Sequence, residues 1–361
     1  MCELLGMDCN VPTDIVFSFR GFAKRGGETG PHSDGWGVCL YDGPGVRSFR
    51  EPHPAAQSPL ARYLRENSIK TKIGIAHIRR KTKGKVHLSN THPFTRELWG
   101  RAWTFAHNGK VHAVTHRPLN RFHALGTTDS EHAFCWMLDA IVEKFGSYPA
   151  DPKKLWDFVA LLGADIGRYG NFNFLLSDSR FLYARCHTNL HHLVRQHPFA
   201  RATLADDDVT INFADHTTPK DRVAVIATYP LTRDETWVKG ESGTLWVFSA
   251  GRLRATLPSS HELYKEQKES MATIDIKRTH TLGKDKAREV AQAVADRLKE
   301  KLDIKYNWAG DTLKFERTGA SGSIDCSATD MRVQVDLSFM LRPMKGKVED
   351  KVKQYLDEYL K

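Results

Sequence analysis

Sixteen of the seventeen histidines lie before residue 271, and only His280 follows it. One cooperative unit has no physical reason to sort a residue type so sharply, so the chain reads as two modules. The seam coincides with a polar stretch, Pro258 to Ser270, which has little apolar surface to bury and reads as a linker. Beyond it, Met271-Ala-Thr looks like a second chain start, as in a fusion of two proteins, natural or artificial. The expected boundaries are 1–258 for the first module, 259–270 for the linker and 271–361 for the second. A length of 361 residues is sufficient for two cores.

The formal charge of +10 is spread thin, with 18 Lys/Arg against 15 Asp/Glu after residue 270 and 35 against 28 before it. Its densest run, Arg79-Arg80-Lys81 with Lys83 and Lys85, has no interleaved aromatics. A basic rim for an anionic small substrate fits that run better than a nucleic-acid face. No run of about 18 apolar residues occurs, and the N-terminus lacks the pattern of a secretory signal. No membrane span and a cytoplasmic location are therefore expected. The six cysteines, at 2, 9, 39, 135, 186 and 326, have neither paired nor CxxC spacing, which predicts free thiols. Cys186-His187 with His191, His192 and His197 has metal-binding residue types, but Asn189 and the flanking strand pattern point to a turn. No metal and no cofactor are expected.

Strand patterns fall at residues 35–41, 73–78, 103–106, 172–177, 223–228 and 245–249. Thr13 is placed to cap a short helix from Asp14 to Lys24, stopping at Gly26-Gly27. Apolar residues at Ala133, Phe134, Met137, Leu138, Ile141, Val142 and Phe145 predict a one-sided helix from Ser130. Asp151-Pro152 opens another, through Leu162. The second module reads as a strand at 274–279, a helix from Lys284 to Leu302, strands at 304–308, 313–317 and 323–339, and a closing amphipathic helix through Leu360.

Cys2 has a chemical advantage of position. If Met1 is removed, one residue carries both a thiol and a free α-amine of pKa about 7.7–8.0, a nucleophile and a base together. The alternative is an incidental cysteine near a terminus. Ala106-His107-Asn108-Gly109 can aim a side-chain amide and a backbone N–H at one point, as an oxyanion hole requires, or can be merely a turn. Arg79 after a strand can clamp a carboxylate or stand unpaired at the surface. Asp129, opening a helix, can bind an ammonium group or serve as a cap. Together these supply what a glutamine site needs.

The chain resembles the class II glutamine amidotransferases, which are N-terminal-nucleophile hydrolases, and among them the short stand-alone, YafJ-like kind. The likeness covers residues 1–258 and rests on the Met-Cys start, Ser33-Asp-Gly-Trp-Gly37, His77-Ile-Arg79, Asn90-Thr-His-Pro93, His107-Asn-Gly109, Thr128-Asp-Ser-Glu131 and the stretch Pro230 to Trp237. It implies an α+β fold, a four-layer αββα sandwich, with Cys2 at the head of the first strand. It further implies Cys2, Asn108 and Gly109 as the catalytic set, and Arg79, Asp129, Thr82 and Trp36 as the substrate-binding set. Glutamine or a γ-glutamyl amide would be the substrate. Arg80 and Lys83 stand where many members carry tryptophan and histidine. Residues 271–361 resemble the polyhydroxyalkanoic acid system (granule-associated) proteins through their first strand, their Ala/Val-rich helix and Phe339-Met-Leu-Arg-Pro343. That likeness implies a small α+β module, an antiparallel sheet with two helices, for a partner protein or a granule. The competing expectation for the whole chain is a catalytically silent scaffold.

Overall fold

The computed structural model describes residues 2–81, 85–259, 272–302, 304–317, 320–337 and 345–360. They form two compact units, Met1–Leu263 and Tyr264–Lys361.

The first unit holds two large antiparallel sheets. One contains β1 (Glu3–Thr13), β2 (Trp36–Asp42), β3 (Gly45–Glu51), β4 (Thr71–Ile78), β9 (His191–Gln196), β12 (Arg222–Ala227) and β13 (Val238–Lys239), in the order β13-β9-β12-β1-β4-β2-β3. The other contains β5 (Phe94–Leu98), β6 (Arg101–Val111), β7 (Gly170–Ser177), β8 (Leu182–Cys186), β14 (Thr244–Ser249) and β15 (Arg252–Pro258), in the order β15-β14-β8-β7-β6-β5. Two short strands, β10 (Arg201–Thr203) and β11 (Thr210–Asn212), pair apart from both.

Side-chain alternation along β1 explains the layering. Leu5, Met7 and Cys9 join Phe19, Phe22 and Leu64 in a core between the first sheet and helices α1 (Val16–Lys24) and α2 (Pro59–Glu66). Leu4 faces the other way and packs with Ile75, Ala106, Leu175 and Phe248 between the sheets. Helices α3 (Asp129–Phe145) and α4 (Pro152–Gly167) cover the outer face of the second sheet, where Phe134 stacks on Phe105 at 5.2 Å. Burying each such ring contributes about 1.5–3 kcal/mol. The four layers are helix, sheet, sheet, helix.

Local chemistry moves several element ends. β1 runs through Thr13, and α1 starts at Val16, whose N–H bonds Asp14 Oδ1 at 3.2 Å rather than a threonine cap. α4 is capped by Asp151 as expected but continues past Leu162 to Gly167, because Ala164 and Ile166 are still buried. The last described residue of this unit, Ser259, has no exposed surface. Arg185 donates from Nε to Ser259 Oγ and from Nη2 to Ser259 O, both at 2.8 Å, and Ser259 Oγ donates to Ala160 O at 2.6 Å. The expected linker thus begins on an interior residue, and its remainder, 260–270, lies outside the described residues.

The second unit is a five-stranded antiparallel sheet, β16 (Ala272–Thr279), β17 (Lys305–Ala309), β18 (Thr312–Arg317), β19 (Ala320–Cys326) and β20 (Asp330–Leu337), in the order β16-β20-β19-β18-β17. Helices α5 (Lys284–Leu302) and α6 (Lys345–Tyr359) cover one face through Ala287, Ala291, Val294 and Leu356. The single strand expected at 323–339 is two, because Ser327 Oγ accepts from the N–H groups of Thr329 and Asp330 and turns the chain. Phe339 to Pro343 lies outside the described residues.

Candidate active site

Cys2 stands at the head of β1, which pairs with β4 so that Glu3 lies opposite Ile78. That register places the thiol beside Arg79 and Arg80. The Arg80 N–H donates to Cys2 Sγ at 3.3 Å, and the thiol donates to Arg80 O at 3.4 Å. Burial pushes the Cys2 thiol above its ordinary pKa, while the Arg80 N–H and the Arg79 guanidinium pull the other way. At neutral pH the group is a thiol and needs a base to become a nucleophile. Arg79 is 3 % exposed, and its Nη1 donates to Lys85 O at 3.2 Å. Burial lowers its pKa, opposed by Cys2 and Asp34.

Asn108 and Gly109 lie on β6, which continues past them to Val111 and pairs Asn108 with Asn173. Gly109 has φ +148°, and a Cβ there would lie 2.0 Å from Asn171 O, so only glycine fits. The Asn108 amide reaches the first sheet through Thr228: Nδ2 lies 3.5 Å from Thr228 Oγ1, which also accepts the Leu4 N–H at 2.9 Å. From behind, Asn173 Nδ2 donates to Asn108 O at 3.0 Å, and Asn173 Oδ1 accepts from the N–H groups of His187 and Thr188. The nucleophile strand and the Asn108 strand are therefore hydrogen-bonded to one residue.

Asp129 is the first residue of α3, and Thr128 is the cap that accepts the Glu131 N–H. Asp129 Oδ2 accepts the Val111 N–H at 2.9 Å and ties the helix to the end of β6. A carboxylate there is favoured by the helix dipole. The family model described as "Glutamine amidotransferases class-II" matches residues 1–273. The chain belongs to that family. It is 49% identical over 251 residues, 70% of this chain and 98% of the other, to the Escherichia coli (strain K12) protein described as "Putative glutamine amidotransferase YafJ". It is 43% identical, over 70% of this chain and 85% of the other, to a Haemophilus influenzae protein of like description. A crystal structure of a "predicted glutamine amidotransferase" from Pseudomonas aeruginosa PA01 superposes with a TM-score of 0.56 at 39% identity, covering 70% of this chain and all of that one. Residues 274–360 match the model of the "Putative polyhydroxyalkanoic acid system protein" family.

Against this class II frame, the expected site residues separate. Cys2 lies beside Arg79 and Arg80 at the head of β1, the Asn108 amide reaches that strand through Thr228, and Asp129 is bonded to the end of β6. Trp36 does not join them. Its ring is fully buried on the opposite face of the first sheet, 5.9 Å from Phe19, with Nε1 donating to Glu51 Oε2. Two-residue alternation sends Trp36 to the side of Glu3 rather than Cys2. Thr82 lies outside the described residues. The Cys186 to His197 stretch forms the end of β8, a turn and β9, and among the described residues no group of side chains is arranged to hold a metal.

Sequence reasoning missed Arg25. It is buried and donates to Glu3 Oε2 at 2.9 Å, Asp206 Oδ2 at 2.6 Å and the carbonyls of Tyr229 and Pro230. It anchors the residue after Cys2 and the two after Thr228. Three histidines back the site as neutral rings. The rings of His77 and His92 lie 4.2 Å apart, tilted by 39°, and His107 bonds Ser130 Oγ at 2.8 Å. Burial lowers all three, His77 to about 3, with Arg79 adding to the effect on His77.

Proposed function

We propose that the first unit hydrolyses glutamine or a related γ-glutamyl amide through a thioester on Cys2. The observation that carries this reading is the meeting of the Cys2 strand with the Asn108-Gly109 strand on the Thr228 hydroxyl, with Arg79 beside the thiol. Loss of Met1 gives Cys2 a free α-amine, which takes the thiol proton that burial holds in place. The sulfur attacks the carboxamide carbon, and the resulting oxyanion is met by the Asn108 amide and the Gly109 N–H. The C–N bond then breaks, the ammonium form of the α-amine returns the proton, and ammonia or an amine leaves. Water, deprotonated by the same amine, attacks the thioester and releases the γ-carboxylate and the thiol. Arg79 is suited to the α-carboxylate of the substrate, and Asp129 to its α-ammonium group. The second unit serves as a binding or assembly module. In its described residues it exposes no large apolar side chain, which favours a polar partner over direct adsorption to a polymer surface.

The test is ammonia release from glutamine and a panel of γ-glutamyl amides by the chain lacking Met1, with Cys2→Ala alongside. Activity in the first and none in the second is expected. Equal rates would leave a silent scaffold as the better reading.

A further inference from the structure

We infer that Thr228 is a positioning residue, whose hydroxyl fixes which end of the Asn108 amide faces the reacting carbonyl. The inference rests on the thioester reading above. Thr228 follows the last residue of β12 and is 1 % exposed. Its N–H donates to Leu4 O at 3.1 Å, and its carbonyl accepts from Asn189 Nδ2 and His191 Nδ1, each at 2.9 Å. Its backbone is therefore committed on both sides, and the hydroxyl cannot drift.

The hydroxyl oxygen accepts the Leu4 N–H at 2.9 Å, while Asn108 Nδ2 stands 3.5 Å away, at the limit of a hydrogen bond. Two groups are left unmatched by that arrangement among the described residues: the hydroxyl proton of Thr228, and Asn108 Oδ1, which is buried without a partner. An unsatisfied buried carbonyl is costly. Rotating the amide by half a turn about its last bond exchanges Oδ1 and Nδ2, which are isosteric. Thr228 then accepts from Leu4 and donates to Oδ1, so both unmatched groups are satisfied by one bond. The amide N–H groups are released from Thr228 and become available to an oxyanion.

The consequence is one of sign. An Asn108 amide presented through its oxygen repels a developing negative charge, and presented through its nitrogen stabilises it. A valine of the same shape would leave the amide free to present either end, and would also take away the acceptor of the Leu4 N–H. Because the same hydroxyl holds the amide of Leu4, two residues from Cys2, the nucleophile and the oxyanion donor share one mount. Both the formation and the hydrolysis of the thioester pass through an oxyanion, so the effect falls on kcat whichever of these limits the rate.

The experiment compares the wild-type chain with T228V and T228S. It measures kcat and KM on the best amide substrate, together with inhibition by glutamate γ-semialdehyde and by glutamate. The aldehyde probes the tetrahedral state: the Cys2 sulfur adds to its carbon and the thiol proton ends on its oxygen. T228V should lower kcat about tenfold, less than the roughly 100-fold expected for deleting the donor itself, with KM within about twofold. It should weaken the aldehyde by a similar factor and leave glutamate unchanged, and T228S should recover most of the loss. Should T228V not fold, T228A takes its place. A valine variant with wild-type kcat, a serine variant as impaired as the valine one, or a kcat loss without weaker aldehyde binding would overturn the inference while the thioester reading stands. A wild-type chain that neither turns over an amide nor binds the aldehyde overturns both.

Discussion

Replacing Gly109 by alanine tests the geometry of the catalytic strand most directly. The residue has φ +148°, and the added Cβ would meet Asn171 O at 2.0 Å, Asn171 C at 2.7 Å and His107 Nε2 at 3.0 Å. The first of these is more than 1 Å inside ordinary contact, and its partner is backbone that already accepts a bond from His107 Nε2. Two costs follow: about 1–3 kcal/mol for a side chain held at that φ, and about 1–3 kcal/mol for the overlap, which only a separation of β6 from β7 relieves. Gly100 is the control. It turns the β5–β6 hairpin at φ +72° with nothing within 4 Å of its Cβ position, so Gly100→Ala should cost only about 1–2 kcal/mol of conformation. Urea unfolding followed by tryptophan fluorescence reports on the first unit, since seven of the eight tryptophans precede residue 258. Gly109→Ala is expected to lose about 2–6 kcal/mol in total and to lose amide turnover, while Gly100→Ala stays active. If the two variants are equally stable and equally active, the steric reasoning about β6 is wrong.

Arg25→Met leaves Glu3 buried without its partner and the half-buried Asp206 with only the Thr29 hydroxyl, and should cost about 3–5 kcal/mol in the same unfolding assay. A loss under about 1 kcal/mol would show that the network is not what anchors the strand. The neutral histidines give the fold an acid limit. His77, His92 and His107 are lowered in the fold, so between their unfolded value of 6.5 and their folded values the unfolded chain binds more protons, and stability falls as pH falls. His187, His191 and His192 are lowered in the same way, while Asp8, raised by burial to about 7, and Asp157 and Asp178, also raised by burial, have the opposite slope above the ordinary aspartate range and offset part of the effect. Unfolding free energy should therefore drop on acidification below pH 6 by about 1.4 kcal/mol per unit for each histidine in excess. A curve that is flat from pH 6 to 4.5 would contradict neutral burial.

Periodic elements were readable from the sequence because their signal is repeated. The apolar positions from Ala133 to Phe145 define one face of α3, and the Asp151-Pro152 pair marks the start of α4 through a local capping bond. Candidates for the site stood out where chemistry sits in short motifs, as in the Met-Cys start, His77-Ile-Arg79 and His107-Asn-Gly109. The supporting residues were not. Thr228 meets Leu4 across 224 positions of sequence, and Arg25 meets Pro230 across 205, with no pattern in between to announce either contact. Trp36 misled for the converse reason. Its motif lies beside Arg79 in the sheet, where the Arg79 N–H donates to Gly35 O, but a one-residue step on a strand places its ring in the opposite core.

Ser259 bears on how such a chain can be rearranged in evolution. Arg185 is a buried cation whose described bonds go to the carbonyls of Ser259 and Phe172, the Ser259 hydroxyl and a His187 ring nitrogen, with no carboxylate among them. The unit therefore carries its own stopper, and the last residue of that stopper is set by internal hydrogen bonding rather than by whatever comes next. A cut one residue earlier would leave a buried charge short of acceptors, whereas a change beyond Ser259 leaves both of these bonds in place.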